Sequence, residues 1–202
     1  MKIGPKFKIA KRLGAPIFEK TQTQKFALSE ARGGAKRQRR PGQASDYKKQ
    51  LIEKQKMRFT YGVSEKQFRK YVDEAVEKSD QPIEHLVRRL ESRLDNVAYR
   101  MGLAKTRQMA RQMAAHGHFT VNGRKMTIPS HEVKIGDIVA VREGSRESGL
   151  FTTITDDHQQ AGVPAWVKFD LKALSGEKVA EPSYIPSETL FDPVLVLEYY
   201  SR

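Results

Sequence analysis

Arginine is the residue whose spacing is most informative in this chain. Two predicted helical stripes carry the residues concerned: Arg89, Arg93, Asn96 and Arg100 on one helix, and Arg107 and Arg111 on the next. The first four fall within roughly 60° of one another around a continuous helix, with Glu84, Glu91 and Asp95 on another side. A guanidinium donates paired hydrogen bonds to phosphate oxygens, so the two stripes predict a polyanion-binding surface. The alternative is a solvated face.

The segment after the first stripe adds to this surface. Thr106 is predicted to cap the second helix, and the free N–H groups there, with Lys105 alongside, could hold a phosphate. The helix leads into a hairpin with Asn122-Gly123 at its turn, followed by Arg124 and Lys125. We expect Asn122 and these cations to bind the same polyanion.

His116 and His118 are candidates for a metal pair or for general bases. Their i,i+2 spacing on a helix is poor for metal binding, and the chain has no cysteine. One ring is therefore expected to pack near the helix end and the other to face water or RNA, and His118 is taken as the RNA contact. No phosphate-binding loop or catalytic arrangement is readable, so we predict that the chain is not an enzyme.

The net charge of +13 is concentrated near the N-terminus, where residues 1–60 hold 17 Lys and Arg against 4 Asp and Glu. Such a basic arm indicates a polyanion partner. Residues 1–44 show no sustained period and are predicted to be irregular. Further candidate RNA contacts in the N-terminal part of the chain are Lys36, Arg37, Arg39, Arg40, Arg58, Tyr61 and Arg69. Tyr61 would stack on a base, although most aromatic residues nearby have core spacing.

The elements that must position these residues are read from periodicity and caps. Helices are predicted from Ser45 to about Gly62, from Ser64 to about 79, from Pro82 to about Met101, and from Thr106 to Gly117. Strands are predicted at 118–121, 124–128, 137–141, 166–171 and 194–200. We find no signal peptide and no apolar run that could span a membrane.

Residues 93–143, which include "RLDN", "YRMG" and "VNG", closely resemble the RNA-binding module named after ribosomal protein S-four. Residues 45–75, "PGQ" at 41–43 and the terminal "LEYYSR" are similar to the bacterial-type S-four family of small-subunit ribosomal proteins itself. The resemblance covers nearly the whole chain. It implies an α+β fold: a helical domain with an inserted module of two helices packed on a small antiparallel sheet.

The domain limits that follow are a basic irregular arm at 1–44, a helical rRNA-binding domain at 45–90 completed by 181–202, and the module at 91–180. Zinc-bearing family members have a cysteine pair that corresponds to Phe7 and Ala10 here, so no zinc and no cofactor are expected. The family commonly has a longer basic stretch after "PGQ", and Lys36 to Arg40 could take its place.

The resemblance implies a primary binder of small-subunit rRNA that nucleates assembly. It also implies that the protein lies near the channel by which mRNA enters, next to small-subunit protein five, and that it contributes to translational accuracy. Some members of the family also repress their own mRNA. The implied location is the cytoplasmic ribosome, without membrane contact, and an organellar origin is not excluded. The main alternative is a free RNA-binding chaperone or rescue factor with the same module. A second is an RNA enzyme, such as a pseudouridine synthase or a tRNA synthetase fragment, which would need a catalytic domain.

Overall fold

The computed structural model describes residues 3–34, 45–151 and 162–201. The chain forms two compact units: a split unit made of Met1–Ile83 and Ile185–Arg202, and a central unit, Glu84–Tyr184. These limits differ by a few residues from the predicted boundaries at 91 and 180, and the domain assignment stays a prediction. Helices and an antiparallel sheet together make the fold α+β, as predicted.

The split unit is helical. Its helices are α1 Lys6–Leu13, α2 Gln24–Gly34, α3 Asp46–Tyr61, α4 Glu65–Lys78 and α9 Pro193–Tyr200, with 3-10 turns at Glu19–Thr21 and Pro186–Glu188. The predicted N-caps of α3 and α4 are confirmed: Ser45 Oγ accepts from the Lys48 N–H at 3.4 Å, and Ser64 Oγ accepts from the Gln67 N–H at 3.3 Å. Gly62 ends α3 at φ 62°, a conformation that suits glycine.

The N-terminal arm is not irregular over its described part, which corrects the prediction for residues 1–44. Helices α1 and α2 pack around a buried apolar cluster made of Ala10, Leu13, Ala15, Ile17, Phe18 and Phe26. Phe7 packs edge-on against Phe26 at 5.3 Å between ring centroids, and Ile52 and Phe59 of α3 cover the cluster. The scattered apolar residues of the arm thus bury enough surface to order it against α3. Residues 35–44 lie outside the described part.

Residues 194–200 form most of helix α9, so the predicted strand there is wrong. The run "VLVLEYY" is apolar except for Glu198, and periodicity cannot distinguish a buried strand from a buried helix in so short a run. Two local signals favour the helix: Pro193 occupies its first position, and Asp192 Oδ1 accepts from the Val194 N–H at 2.9 Å. Helix α9 packs mainly along α3.

A buried charge secures α9 against α3 and α4. The Lys54 ammonium is almost fully buried, donates to Glu65 Oε1 at 2.8 Å and lies 4.4 Å from the centroid of the Tyr199 ring. The Tyr200 hydroxyl donates to the same carboxylate oxygen at 2.7 Å. Burial alone would raise the pKa of Glu65, but the hydrogen bonds from Lys54 and Tyr200 and the charges of Lys54 and Arg58 leave that pKa lowered.

The central unit combines helices with an antiparallel sheet. Its helices are α5 Pro82–Glu91, which starts just before the unit, α6 Leu94–Arg100, α7 Arg107–His116 and the short α8 Glu143–Arg146. Its strands are β1 Phe119–Val121, β2 Arg124–Met126, β3 Ile138–Val141, β4 Val167–Asp170 and β5 Ser175–Lys178. The strand order is β2-β1-β3-β5-β4, and every pairing is antiparallel.

The strands predicted at 118–121, 124–128, 137–141 and 166–171 are confirmed within a few residues, but β5 was missed. Its sequence, "SGEK", has no apolar side chain. Gly176 is buried where a Cβ would lie 2.9 Å from Met101 Cε, so the strand packs through its backbone. Lys178 is buried too, and its ammonium donates to Ser92 Oγ at 2.7 Å and Glu181 Oε2 at 2.8 Å.

The core of the central unit lies between α6, α7 and the sheet. It includes Leu94, Val97, Met101, Ala110, Met113, Phe119, Val139 and Val141. This arrangement fixes the two arginine-bearing helices against each other. None of the helices in the described ranges is long and apolar enough to cross a membrane.

Candidate nucleic-acid interface

The predicted helix from Pro82 to Met101 is interrupted, which changes the positions of its arginines. Arg93 has an extended backbone, with φ −68° and ψ 139°, between α5 and α6. Its neighbours bond to a separate segment: the Val133 N–H donates to the Ser92 carbonyl at 2.8 Å, and the Leu94 N–H donates to the His131 carbonyl at 2.8 Å. These bonds replace helical ones, so the expected continuous stripe over Arg89, Arg93, Asn96 and Arg100 does not exist.

Arg93 is a buried ion-pair partner, not the exposed residue that the stripe required. It is 3% exposed, and its Nε and Nη2 donate to Asp95 at 3.1 and 2.9 Å. Arg111, from α7, donates to Asp95 Oδ2 through Nε at 2.8 Å and Nη2 at 2.6 Å. One carboxylate that is itself 2% exposed therefore holds two guanidiniums.

Glu91 organises the other side of the same region. Its carboxylate accepts from Arg100 Nε and Nη2, both at 2.9 Å, and from Asn96 Nδ2 at 2.6 Å. Asn96 is 2% exposed, so its predicted role as a direct RNA contact does not fit the structure. Its side-chain oxygen instead accepts from Arg107 Nε at 2.7 Å, and the Arg107 guanidinium lies 4.4 Å from the centroid of the Tyr99 ring.

We call this group the arginine–carboxylate cluster: Glu91, Arg93, Asp95, Asn96, Arg100, Arg107 and Arg111. The predicted continuous helix placed the two acids on a different side from the arginines. Because the helix is interrupted at Arg93, the acids and the arginines instead come together. Four guanidiniums against two carboxylates leave an excess of two positive charges. The side chains of Arg100, Arg107 and Arg111 are 30%, 18% and 25% exposed, so the excess charge reaches the surface in a fixed geometry.

The loop between α6 and α7 brings the arginines together. Gly102 ends α6 with φ 72°, and Thr106 caps α7, its Oγ1 accepting from the Met109 N–H at 3.1 Å. The capping prediction is confirmed, and the hydroxyl hydrogen of Thr106 can still be donated. Lys105 is exposed next to the helix start. Arg89 pairs with Glu132, whose backbone forms a β-bridge with Arg93.

The hairpin positions its two cations at the edge of the sheet. Asn122 and Gly123 form the turn at φ 50° and 76°, as "NG" predicts. The Asn122 side chain donates to Asp137 at 2.8 Å and accepts from the Ile138 N–H at 2.9 Å, so its amide serves the fold. Arg124 and Lys125 are exposed on the edge strand β2.

Glycine is required where that hairpin meets α7. Gly117 ends α7 at φ 74°, and a Cβ there would collide with the Lys125 side chain. The aliphatic part of Lys125 thus crosses the end of α7, where a positive charge also interacts favourably with the helix dipole.

His118 is half-buried and His116 is exposed, so the two rings differ as expected, but the buried one is the predicted RNA contact. His118 Nδ1 lies 3.0 Å from Ser145 Oγ, and its ring contacts Phe151 at 6.2 Å between centroids. Burial, with the nearby charges of His116 and Arg142, lowers the pKa of His118. Within the described residues, no group of three or more histidines and acids could hold a metal ion.

The candidates in the split unit differ in exposure. Tyr61 is 5% exposed and packs edge-on against Phe191, so its ring has no face open to a base and that expectation is corrected. Arg58 lies over the Phe59 ring at 4.6 Å and its Nε is 3.5 Å from Glu65 Oε2. Arg69 is well exposed, beside Asp73 of the same helix. Lys36, Arg37, Arg39 and Arg40 lie outside the described residues.

Sequence reasoning missed the two carboxylates that organise the cluster. Glu91 and Asp95 are i,i+4 acids within a run of arginines, a pattern that usually indicates exposed surface pairs. The segment 92–94 bonds to residues 131–133, and no local sequence pattern connects the two segments. The burial of these two acids follows from tertiary contacts with arginines, so only the folded structure reveals it.

Two family descriptions match the chain: "Ribosomal protein S4/S9 N-terminal domain" over residues 1–91, and "S4 domain" over residues 92–139. Similar proteins include the small ribosomal subunit protein uS4 of Chloroflexus aurantiacus, 43% identical over 99% of this chain and 98% of that protein. The protein of the same name from Chromobacterium violaceum is 42% identical, and that from Persephonella marina is 41% identical, each over 98% or more of both chains.

Proposed function

Because the chain belongs to the S4 family of small-subunit ribosomal proteins, a structural and non-enzymatic family, we propose that it is a constituent of the small ribosomal subunit that binds rRNA. It acts in the cytoplasm as part of the ribosome. The observation that carries rRNA binding is the excess of two positive charges in the arginine–carboxylate cluster, presented by the part-exposed Arg100, Arg107 and Arg111.

The cluster suits phosphate recognition for an electrostatic reason. Two carboxylates hold the guanidiniums in place, so less conformational entropy is lost when RNA binds. The remaining positive charge attracts phosphates, and each neutralised phosphate releases counterions. Arg124 and Lys125, on the exposed edge strand β2, extend the positive surface.

The edge cations allow a test that does not disturb the buried pairs. Lys125→Gln should weaken rRNA binding about uniformly across sequences and reduce the slope of log K against log salt by about 1. The matched control is Lys168→Gln, which removes an exposed lysine from β4 at the opposite edge of the sheet. Equal effects of the two changes would contradict the assignment of the β2 edge to RNA.

The finer proposal is that the protein is a primary binder that nucleates subunit assembly. It would lie near the channel by which mRNA enters, next to small-subunit protein five, and contribute to the accuracy of translation. It would also repress translation of its own mRNA. Stepwise reconstitution tests the assembly role, because subunits assembled without the protein should stall early. Crosslinking within intact subunits tests the neighbours.

Sedimentation separates this function from a free chaperone or rescue factor. A structural constituent should remain with small subunits through a high-salt wash. Release of most of the protein under those conditions would favour the factor.

A further inference from the structure

A groove in the split unit lies between α1 and α3. Its volume is about 400 Å³, within the range of ligand-binding clefts. The apolar part of its lining is Ile9, Leu13, Leu51, Ile52 and Phe59. Part of this wall is the exposed side of residues that also cover the N-terminal apolar cluster.

Three cations line the same groove, and none of the described residues that line it is acidic. Arg12 and Lys48 are exposed, one on each helix. Arg58 is mostly buried, and its guanidinium lies 4.6 Å from the centroid of the Phe59 ring. Apart from the neutral Gln55, the polar residues of the lining are basic, and such a groove fits a ligand that has a flat apolar face and a negative charge.

We propose that this groove holds a single unstacked nucleotide of the rRNA, with its base on the apolar wall and its phosphates against Arg12 and Lys48. The proposal rests on the proposed function and adds a second contact in the split unit. Base stacking on side chains tolerates any base, whereas the cations attract the backbone. The chain's own segment with Lys36, Arg37, Arg39 and Arg40 is a poor occupant, because its charge has the same sign as the rim.

Adjacent lysines provide a matched pair for the charge. Lys48 lines the groove, whereas Lys49 does not and pairs with Asp46 at 3.1 Å. In the full-length protein, Lys48→Gln should weaken binding to small-subunit rRNA at least about three-fold more than Lys49→Gln, although both remove one charge. Equal losses would mean that only general electrostatics act here, and the proposal would fail.

A substitution that fills the groove without changing charge tests the base. Leu51→Trp should weaken rRNA binding roughly ten-fold, the order expected for losing one stacked base. Circular dichroism and thermal melting of the variant confirm that it is folded. Unchanged affinity in a folded Leu51→Trp protein would show that nothing enters the groove.

Methyl NMR of the wild-type chain gives a result that does not depend on variants. Adding rRNA should shift the methyl signals of Ile9, Leu51 and Ile52 by the ring current of a stacked base, in proportion to occupancy. If rRNA binds and these signals stay fixed, the groove proposal fails while the proposed function stands. If the wild-type chain does not bind small-subunit rRNA at all, the proposed function itself fails. Shifts that depend on protein concentration without RNA would assign the groove to a second copy.

Discussion

Changing Asp95 to asparagine should destabilise the central unit strongly. Asp95 is 2% exposed and holds Arg93 at 3.1 and 2.9 Å and Arg111 at 2.8 and 2.6 Å. Asparagine keeps the shape, but it removes the charge and turns an –NH₂ group toward a guanidinium. Arg93, at 3% exposure, then loses the charged oxygens that accept its two hydrogen bonds from Nε and Nη2.

The magnitude follows from the difference in exposure between the two arginines. Removing one member of a buried ion pair costs about 3–5 kcal/mol. The Arg111 side chain is 25% exposed, so water can solvate it in the variant and the lower end, about 3 kcal/mol, is expected. That is a large part of the roughly 5–15 kcal/mol that stabilises a domain.

The assay uses the chain's single tryptophan. Trp166 packs against the core of the central unit, so its fluorescence during urea unfolding follows that unit alone. The control is Glu177→Gln, which removes an exposed carboxylate from β5 and should change stability by less than about 0.5 kcal/mol. If Asp95→Asn lowers the urea midpoint no more than Glu177→Gln does, the reasoning about the buried cluster is refuted.

Three further measurements test the hydrogen bonds and pKa shifts. Tyr200→Phe removes the hydroxyl that donates to Glu65 at 2.7 Å and should cost about 1 kcal/mol of unfolding free energy; no change would show that water replaces the bond. The folded-state pKa of Glu65 is lowered from its ordinary 4.5, so the stabilisation by its carboxylate is present above pH 4.5 and is lost as pH falls below it. The difference in unfolding free energy between wild type and Glu65→Gln should therefore shrink on acidification. A difference that stays constant with pH contradicts this. For His118, NMR titration should give a midpoint below the ordinary 6.5, and protonation should reduce stability as pH falls through that value; a midpoint at or above 6.5 would be inconsistent with its burial.

Local chemistry determined which parts of this fold were predictable. Helix caps act within a few residues, and for that reason Ser45, Ser64 and Thr106 were identified correctly. The Asn122-Gly123 turn belongs to the same class, because its positive φ angles restrict the residue types. Each of these signals is complete within four residues.

The errors occurred where distant segments decide the structure. Leu94 and Ser92 leave the helical pattern because they bond to residues 131–133, which no local pattern announces. Strand β5 is held by its pairing with β3 and β4 and by the close packing of Gly176, although its side chains are polar. For the same reason the predicted stripe was wrong about the exposure of Arg93, and RNA binding by the arginines of α7 stays a prediction.

The split unit has a consequence for the order in which the chain folds during synthesis. The central unit is continuous, so all of its strands and helices have left the ribosome once Tyr184 is made and clear of the exit tunnel. Helix α3 meets its partner α9 only after residues 193–200 have also cleared the exit tunnel, since the bond between Gln50 and Glu198 joins residues 148 positions apart. Until then Lys54 lacks Tyr199 and Tyr200, and the α3 surface that α9 will cover is open. The central unit can therefore complete its fold before the split unit does. An early stop in translation leaves α3 without α9, the helix that packs along it.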